Sequence, residues 1–166
     1  MRTLKTQLKK RLDNAERVGV LGIGSELRAD DVAGIRAAQR IEKLAAAKKI
    51  RPKLKIFIGE TTPENLTGEI KRFRPTHLII IDAADLGLSP GKIAAMTPCD
   101  IGGISFCTHS LPLKVMTDYL LESFRCEIII IGIQPKNLSV GASPSKKVLD
   151  AVESLSATIT SVLQPG

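Results

Sequence analysis

The sequence predicts an α/β sandwich: a mostly parallel sheet with helices on both faces. Three observations carry this. Short apolar runs alternate with stretches of helical period along the chain. Two of those runs, "THLIIID" (76–82) and "EIIIIGI" (127–133), are apolar at nearly every position, which requires burial on both faces, as in the middle of a parallel sheet. Aromatic residues make up only 3% of the 166 residues and Trp is absent, so the core must rest on Ile, Leu, Val and Ala.

The elements follow in order. Residues 4–16 read as a helix, with Leu4, Leu8, Leu12 and Ala15 on one side and a basic face on the other, packed on the domain edge. Residues 18–23 form a short apolar strand. Residues 31–47 carry the buried stripe Val32, Ile35, Ala38, Ile41, Leu44 and Ala45. "KLKIFIG" (53–59) alternates as a strand should. Thr62 is placed to cap the next helix, with Pro63 and Glu64 suited to its first turn. The strand 76–82 follows, then a weaker strand at 91–98, a helix at 111–124, the strand 127–133, and a last helix at 144–163 opened by Ser143-Pro144. The crossovers should be right-handed. No repeat or linker divides the chain, so 1–166 is expected to be one domain.

Composition narrows the function. The net charge is +7, from 24 basic and 17 acidic residues. Much of the excess sits at helix and strand ends, in Lys5, Lys9, Lys10 and Arg11 and in Lys48, Lys49, Arg51, Lys53 and Lys55. Without stacking aromatics on a basic face, this pattern argues against nucleic acid as a partner. No apolar run approaches the roughly 18 residues that span a bilayer, and the N-terminus lacks the apolar centre of a signal peptide. The three cysteines, Cys99, Cys107 and Cys126, are odd in number and have no CxxC spacing, which fits reduced thiols. Cys99 and Cys126 read as small buried apolar residues. The expectation is a cytoplasmic protein that does not insert into a membrane.

Sites in open α/β sheets lie beyond the carboxyl ends of the strands. That directs attention to residues 24–31, 82–91 and 133–142. The first of these begins like a dinucleotide-binding loop, "GIGSELRADD" (22–31), but Leu27 holds the third glycine position, and Glu26 and Asp30 would repel a pyrophosphate. Gly22 and Gly24 therefore read as a tight turn. Asp30 is a candidate helix N-cap, and Asp31 would fall in the first helical turn. Asp82 ends an apolar strand, where a carboxylate is costly to desolvate unless it is capped, paired or bound to a cation. Asp85 follows as a second carboxylate or a loop-shaping residue. His77 begins the Asp82 strand, about 16 Å away at the opposite end of the sheet, and reads as structural. His109 lies in "SFCTHSLPL", a loop just ahead of a helix. Asp31, Asp82 and His109 make an incomplete donor set suited to nickel or zinc, with coordination positions left open. A thiol–imidazole pair of Cys107 and His109 is the competing chemistry.

"VLGIGSELRADDVAG", "IIIDAADLGLSPG", "THSLPL" and "IIIIGIQPKNLSVGASPS" occur in this order, each at a strand end. Together they resemble the [NiFe]-hydrogenase maturation endopeptidases, in particular the branch serving hydrogenase 3-type enzymes. The resemblance covers about residues 17–160. It implies a five-stranded twisted sheet and an endopeptidase that removes the C-terminal extension of the hydrogenase large-subunit precursor after nickel insertion. It also implies metal-contacting roles, catalytic among them, for Asp31, Asp82 and His109. The nickel would arrive with the precursor, so no tightly bound resident metal is expected. The sequence leaves the oligomeric state open, with a monomer favoured. The family usually has Asn where this chain has Ser25, and many members have Gly where it has Val32. Gln134 and Pro135 would shape either the cleft edge or a rigid strand exit. A protein that holds the nickel-loaded precursor without cutting it is the non-enzyme alternative.

Overall fold

The computed structural model describes residues 3–106 and 112–166. Its centre is a sheet of β1 (Arg17–Ile23), β2 (Lys53–Glu60), β3 (His77–Asp85), β4 (Ile93–Met96) and β6 (Glu127–Ile133), in the order β2-β1-β3-β6-β4. The pairs β2–β1, β1–β3 and β3–β6 are parallel, and β4 closes one edge antiparallel to β6. A two-residue strand, β5 (Ser105–Phe106), pairs antiparallel with the last residues of β3. The mostly parallel α/β sheet expected from the sequence is therefore present.

Strand alternation divides the core into two layers. Val18, Val20, Ile79, Ile81, Ile129 and Ile131 face one side. There they meet α2 (Ala33–Ala46), α5 (Lys146–Leu163) and Leu8 of α1 (Leu4–Arg11). Leu21, Ile23, Leu78, Ile80, Ile128 and Ile130 face the other side, against Ile70 of α3 (Thr67–Phe73) and Leu113, Met116 and Leu120 of α4 (Leu113–Ser123). Both faces of β3 and β6 are thus covered, which is why their sequences are apolar at successive positions. No helix among the described residues is long and apolar enough to cross a membrane.

The structure moves several expected helix starts. The first helix ends at Arg11, although Leu12 and Ala15 stay buried below it. Arg51 holds this exit by donating to the Leu12 carbonyl at 2.7 Å. Residues Ala29–Val32 form a 3-10 turn and α2 begins only at Ala33, so Asp31 precedes the helix. Thr62 makes no side-chain cap bond; Pro63–Leu66 is a second 3-10 turn, and Pro63 is buried against Gly59.

Helix α2 lies unusually close to the sheet. A Cβ on Gly34 would collide with the carbonyl oxygens of Ile81 and Ile23, and one on Gly22 with the Gly34 carbonyl and, at 2.7 Å, with Ala38. These two glycines set the start of α2 directly over the boundary between β1 and β3. Gly34→Ala pushes a methyl group into two backbone segments that cannot turn aside. We expect it to destabilise the fold by about 3 kcal/mol, read as a lowered urea midpoint with an unchanged slope.

Candidate active site at the carboxyl end of β1 and β3

Strand order reverses between β1 and β3: the chain leaves β1 toward β2 on one side and returns to β3 on the other. Such a switch point opens a crevice at the carboxyl ends of the two strands. The segment after β1 is folded tightly into this region. Gly24 has φ +151°, and a Cβ there would strike the Asp31 carbonyl. The Gly24 amide donates to the Glu60 carbonyl at 2.9 Å and the Ser25 amide to the Asp31 carbonyl at 3.2 Å. Ala29 sits in the left-handed region at φ +42°, a strained conformation for a residue with a Cβ, directly before the aspartate pair.

The two adjacent aspartates are both fully buried but serve different ends. Asp30 is a clamp. One oxygen, Oδ2, accepts from the amides of Lys136 at 2.7 Å and Asn137 at 2.9 Å and from the Ser145 hydroxyl at 2.9 Å. The other accepts from the Ser145 amide at 2.5 Å. The Asp30 amide in turn donates to the Asn137 carbonyl at 3.0 Å. Asp30 is structural, as expected, but it caps the approach to α5 rather than the start of α2. Burial pushes its carboxyl pKa up; the donors from Ser145, Asn137 and Lys136 outweigh that and hold it below the usual carboxylate value. Asp31 is directed elsewhere, with Arg28 Nη1 at 3.7 Å from its Oδ2.

Asp82 is the other fully buried acid of this region. It shares strand parity with Leu78 and Ile80 and so belongs to the α3–α4 face of the sheet. It does not end its strand: β3 runs on to Asp85 because β5 pairs with Ala84 and Asp85. Its neighbour on β6 is Gly132, which leaves the adjoining position without a side chain. The 3-10 turn bearing Asp31 packs against β3, and Gly34, three residues on, touches Ile81, next to Asp82. The structure therefore brings Asp31 and Asp82 to one end of the same pair of strands. His109 and Cys107 lie outside the described residues, and so does their proposed pairing. Among the described residues, no three His, Cys, Asp or Glu side chains are arranged to hold a metal.

Asp85 shapes a loop. Its Oδ1 accepts from the Gly87 amide at 3.2 Å and from Gln134 Nε2 at 3.3 Å. Gln134 is nearly buried, and its Oε1 accepts from the amides of Leu86 at 2.7 Å and Leu88 at 3.2 Å. This amide ties the loop after β3 to the end of β6, a bridging role that the sequence could not reveal because the partners are 46 to 49 residues apart. His77 is structural as expected: Nδ1 lies 3.0 Å from the Thr76 hydroxyl and Nε2 3.6 Å from Glu127. Burial lowers its pKa against the opposing pull of Glu127. Cys99 is exposed, contrary to expectation, since it lies in the surface turn that follows β4. Cys126 is half-buried, and burial pushes its thiol up to about 12, which leaves it unreactive.

An open α/β sheet with three buried carboxylates beside its switch point, one of them engaged in the Asp30 clamp, defines a protein whose candidate site is carboxylate-centred. Comparison with known proteins makes the class specific. The chain belongs to the hydrogenase maturation protease family, whose model matches residues 38–162. It is 37% identical over 137 residues to the hydrogenase 3 maturation protease of Escherichia coli (strain K12), covering 82% of this chain and 84% of that protein. It is 34% identical over 136 residues to a putative hydrogenase maturation protease of Methanocaldococcus jannaschii, covering 80% of each. The crystal structure of a [NiFe] hydrogenase maturation protease from Thermococcus kodakarensis KOD1 superposes with a TM-score of 0.84 at 28% identity, over 95% of this chain and 98% of that one. The protein is therefore a peptidase, not a module that only holds its partner. The span matched by the family model contains Asp82 and His109 and begins after Asp31.

The Asp30 clamp has a pH signature. Its pKa is lowered on folding, so its contribution is present above the unfolded value near 4 and is lost as pH falls through the folded value. Asp30→Asn should cost about 3 kcal/mol at neutral pH, because buried amide donors lose a charged acceptor. The gap between variant and wild type should narrow below about pH 4, as followed by urea denaturation across a pH series.

Proposed function

We propose that this protein removes the C-terminal extension of a [NiFe]-hydrogenase large-subunit precursor once nickel has been inserted. Asp31, Asp82 and His109 contact the nickel that the precursor carries. The observation behind this reading is the burial of two carboxylates, Asp31 and Asp82, on one end of β1 and β3 in a member of a peptidase family. A buried carboxylate must be hydrogen-bonded, paired or bound to a cation; Asp30 is held by its amide and hydroxyl donors, and Asp31 and Asp82 are here assigned to a cation. His109 is three residues along the chain from Phe106, and Phe106 is paired with Ala84, two positions beyond Asp82.

The chemistry follows from the donor set. Two carboxylates and one imidazole bind a borderline divalent ion and leave positions for ligands from another molecule. The precursor supplies those ligands together with the metal, so the protease needs no resident ion. Nickel then either polarises the scissile carbonyl or anchors it while Asp31 or Asp82 takes a proton from water. On both routes water adds to the carbonyl carbon, the C–N bond breaks and a proton passes to the leaving amine. A precursor without nickel gains nothing from the three side chains, which makes cleavage a checkpoint on metal insertion. The reaction is assigned to the cytoplasm, in keeping with three cysteines without CxxC spacing and no apolar run long enough to span a bilayer.

The test uses nickel-loaded and nickel-free precursor and reads the product by size. Wild type should cut only the loaded form. His109→Ala and Asp82→Asn should each lose at least about a hundred-fold in rate while keeping the wild-type circular dichroism spectrum. Undiminished cleavage by His109→Ala, or equal cleavage of both precursors by wild type, contradicts the reading.

A further inference from the structure

The large apolar side chains that stand exposed fall into two sets among the described residues. Val115, Tyr119 and Leu121 lie on α4. Leu27, Leu88 and Val140 lie one on each of the three loops that leave the carboxyl ends of β1, β3 and β6. Leu27 is 72% and Val140 77% exposed, more than any other large apolar side chain described.

We propose that Leu27, Leu88 and Val140 form a docking rim for the folded body of the metal-loaded precursor, separate from the groups that contact its nickel. The inference rests on the function proposed above and adds the surface by which the substrate protein is oriented. Its first support is position: Leu27 lies four residues before Asp31 and Leu88 six after Asp82, on loops that leave the same end of the sheet as the two acids.

The second support is that the tips are held in place. The Gly141 amide donates to the Leu27 carbonyl at 2.9 Å, which joins the first loop to the third. The Leu27 amide is held by Ser25 Oγ at 3.3 Å and the Leu88 amide by Gln134 Oε1 at 3.2 Å. Asp30 fastens residues 136–145 to the same region. Side chains on fixed loops lose little freedom on binding, so their apolar area is available for affinity. Contiguous exposed apolar groups mark a protein contact, and the Gly141–Leu27 bond puts two of the three side chains on joined loops.

The third support is charge. Residues 134–147 carry Lys136, Lys146 and Lys147 and no carboxylate; Glu26 is the exposed acid of the first loop. Lys146 is paired with Asp150 at 2.7 Å. The surface that fits is an apolar patch on a folded protein with acidic residues toward the third loop. Cleaving a single bond in a folded substrate needs the whole body oriented, and a rim outside the reacting centre supplies that.

The test is steady-state cleavage of nickel-loaded precursor by L27D/V140D, with Leu88→Asp as an independent variant and Val115→Asp on α4 as the control for loss of any exposed apolar group. Exposed substitutions of this kind leave folding nearly unchanged. The rim variants should raise KM about tenfold, equivalent to about 1.4 kcal/mol, with the loss falling on KM rather than kcat, while Val115→Asp keeps the wild-type KM. An unchanged KM in L27D/V140D, a loss confined to kcat, or an equal rise in Val115→Asp overturns the rim. If wild type fails to cut the loaded precursor, the functional reading fails. The rim is then decided by calorimetric binding of that precursor to wild type and to L27D/V140D, with equal affinities counting against it.

Discussion

The arrangement of the site depends on one close approach, that of the start of α2 to the backbones of β1 and β3. Gly34 lies against the carbonyls of Ile23 and Ile81, and Gly22 against Gly34. Any side chain at either position would lift the helix away from the switch point. Because α2 starts there, the 3-10 turn before it is drawn down beside β3. Asp31 reaches the same end of the sheet as Asp82 for this reason, although they are 51 residues apart. Nothing in the local preference of "RADDV" would put it there. The left-handed conformation of Ala29 shows that tertiary packing overrides the local preference.

Two neighbouring acids illustrate how one fold assigns opposite tasks to the same side chain. Asp30 and Asp31 are equally buried. Asp30 meets donors from Lys136, Asn137 and Ser145, so its charge is offset by hydrogen bonds and its carboxyl stays ionised below the usual range. It joins the loop after β1 to the loop before α5. Gln134 does the equivalent work between the loops after β3 and β6 with a neutral amide. The three loops around the carboxylates are therefore braced by polar side chains from within, and their apolar tips are left facing outward.

Much of this was legible in the sequence. The unbroken apolar runs of β3 and β6 announced central strands because both faces are covered, and the strand-end rule directed attention to the segments that hold Asp30, Asp31, Asp82 and Asp85. What escaped the sequence depends on partners far along the chain. The bonds of Asp30 reach across 106 to 115 residues, so a cap on α2 was the nearest local reading, and the structure shows a clamp on the approach to α5 instead. The two-residue β5 has no periodicity to detect, yet its pairing extends β3 past Asp82. Pro63 and Thr62 looked like a helix start, but Pro63 packs on Gly59 and the turn tightens to 3-10 before α3. The exposure of Cys99 follows from a surface turn that its composition did not mark.

The central claim is that side chains of this protein enter the coordination sphere of a nickel ion carried by another protein. Nickel-edge X-ray absorption tests it most directly, recorded on loaded precursor alone and with an excess of protease whose cleavage is slowed by cold. The account predicts that oxygen and nitrogen neighbours join the nickel's shell when wild type is added, and that Asp82→Asn diminishes this change. A nickel shell that stays the same with the protease bound would contradict it.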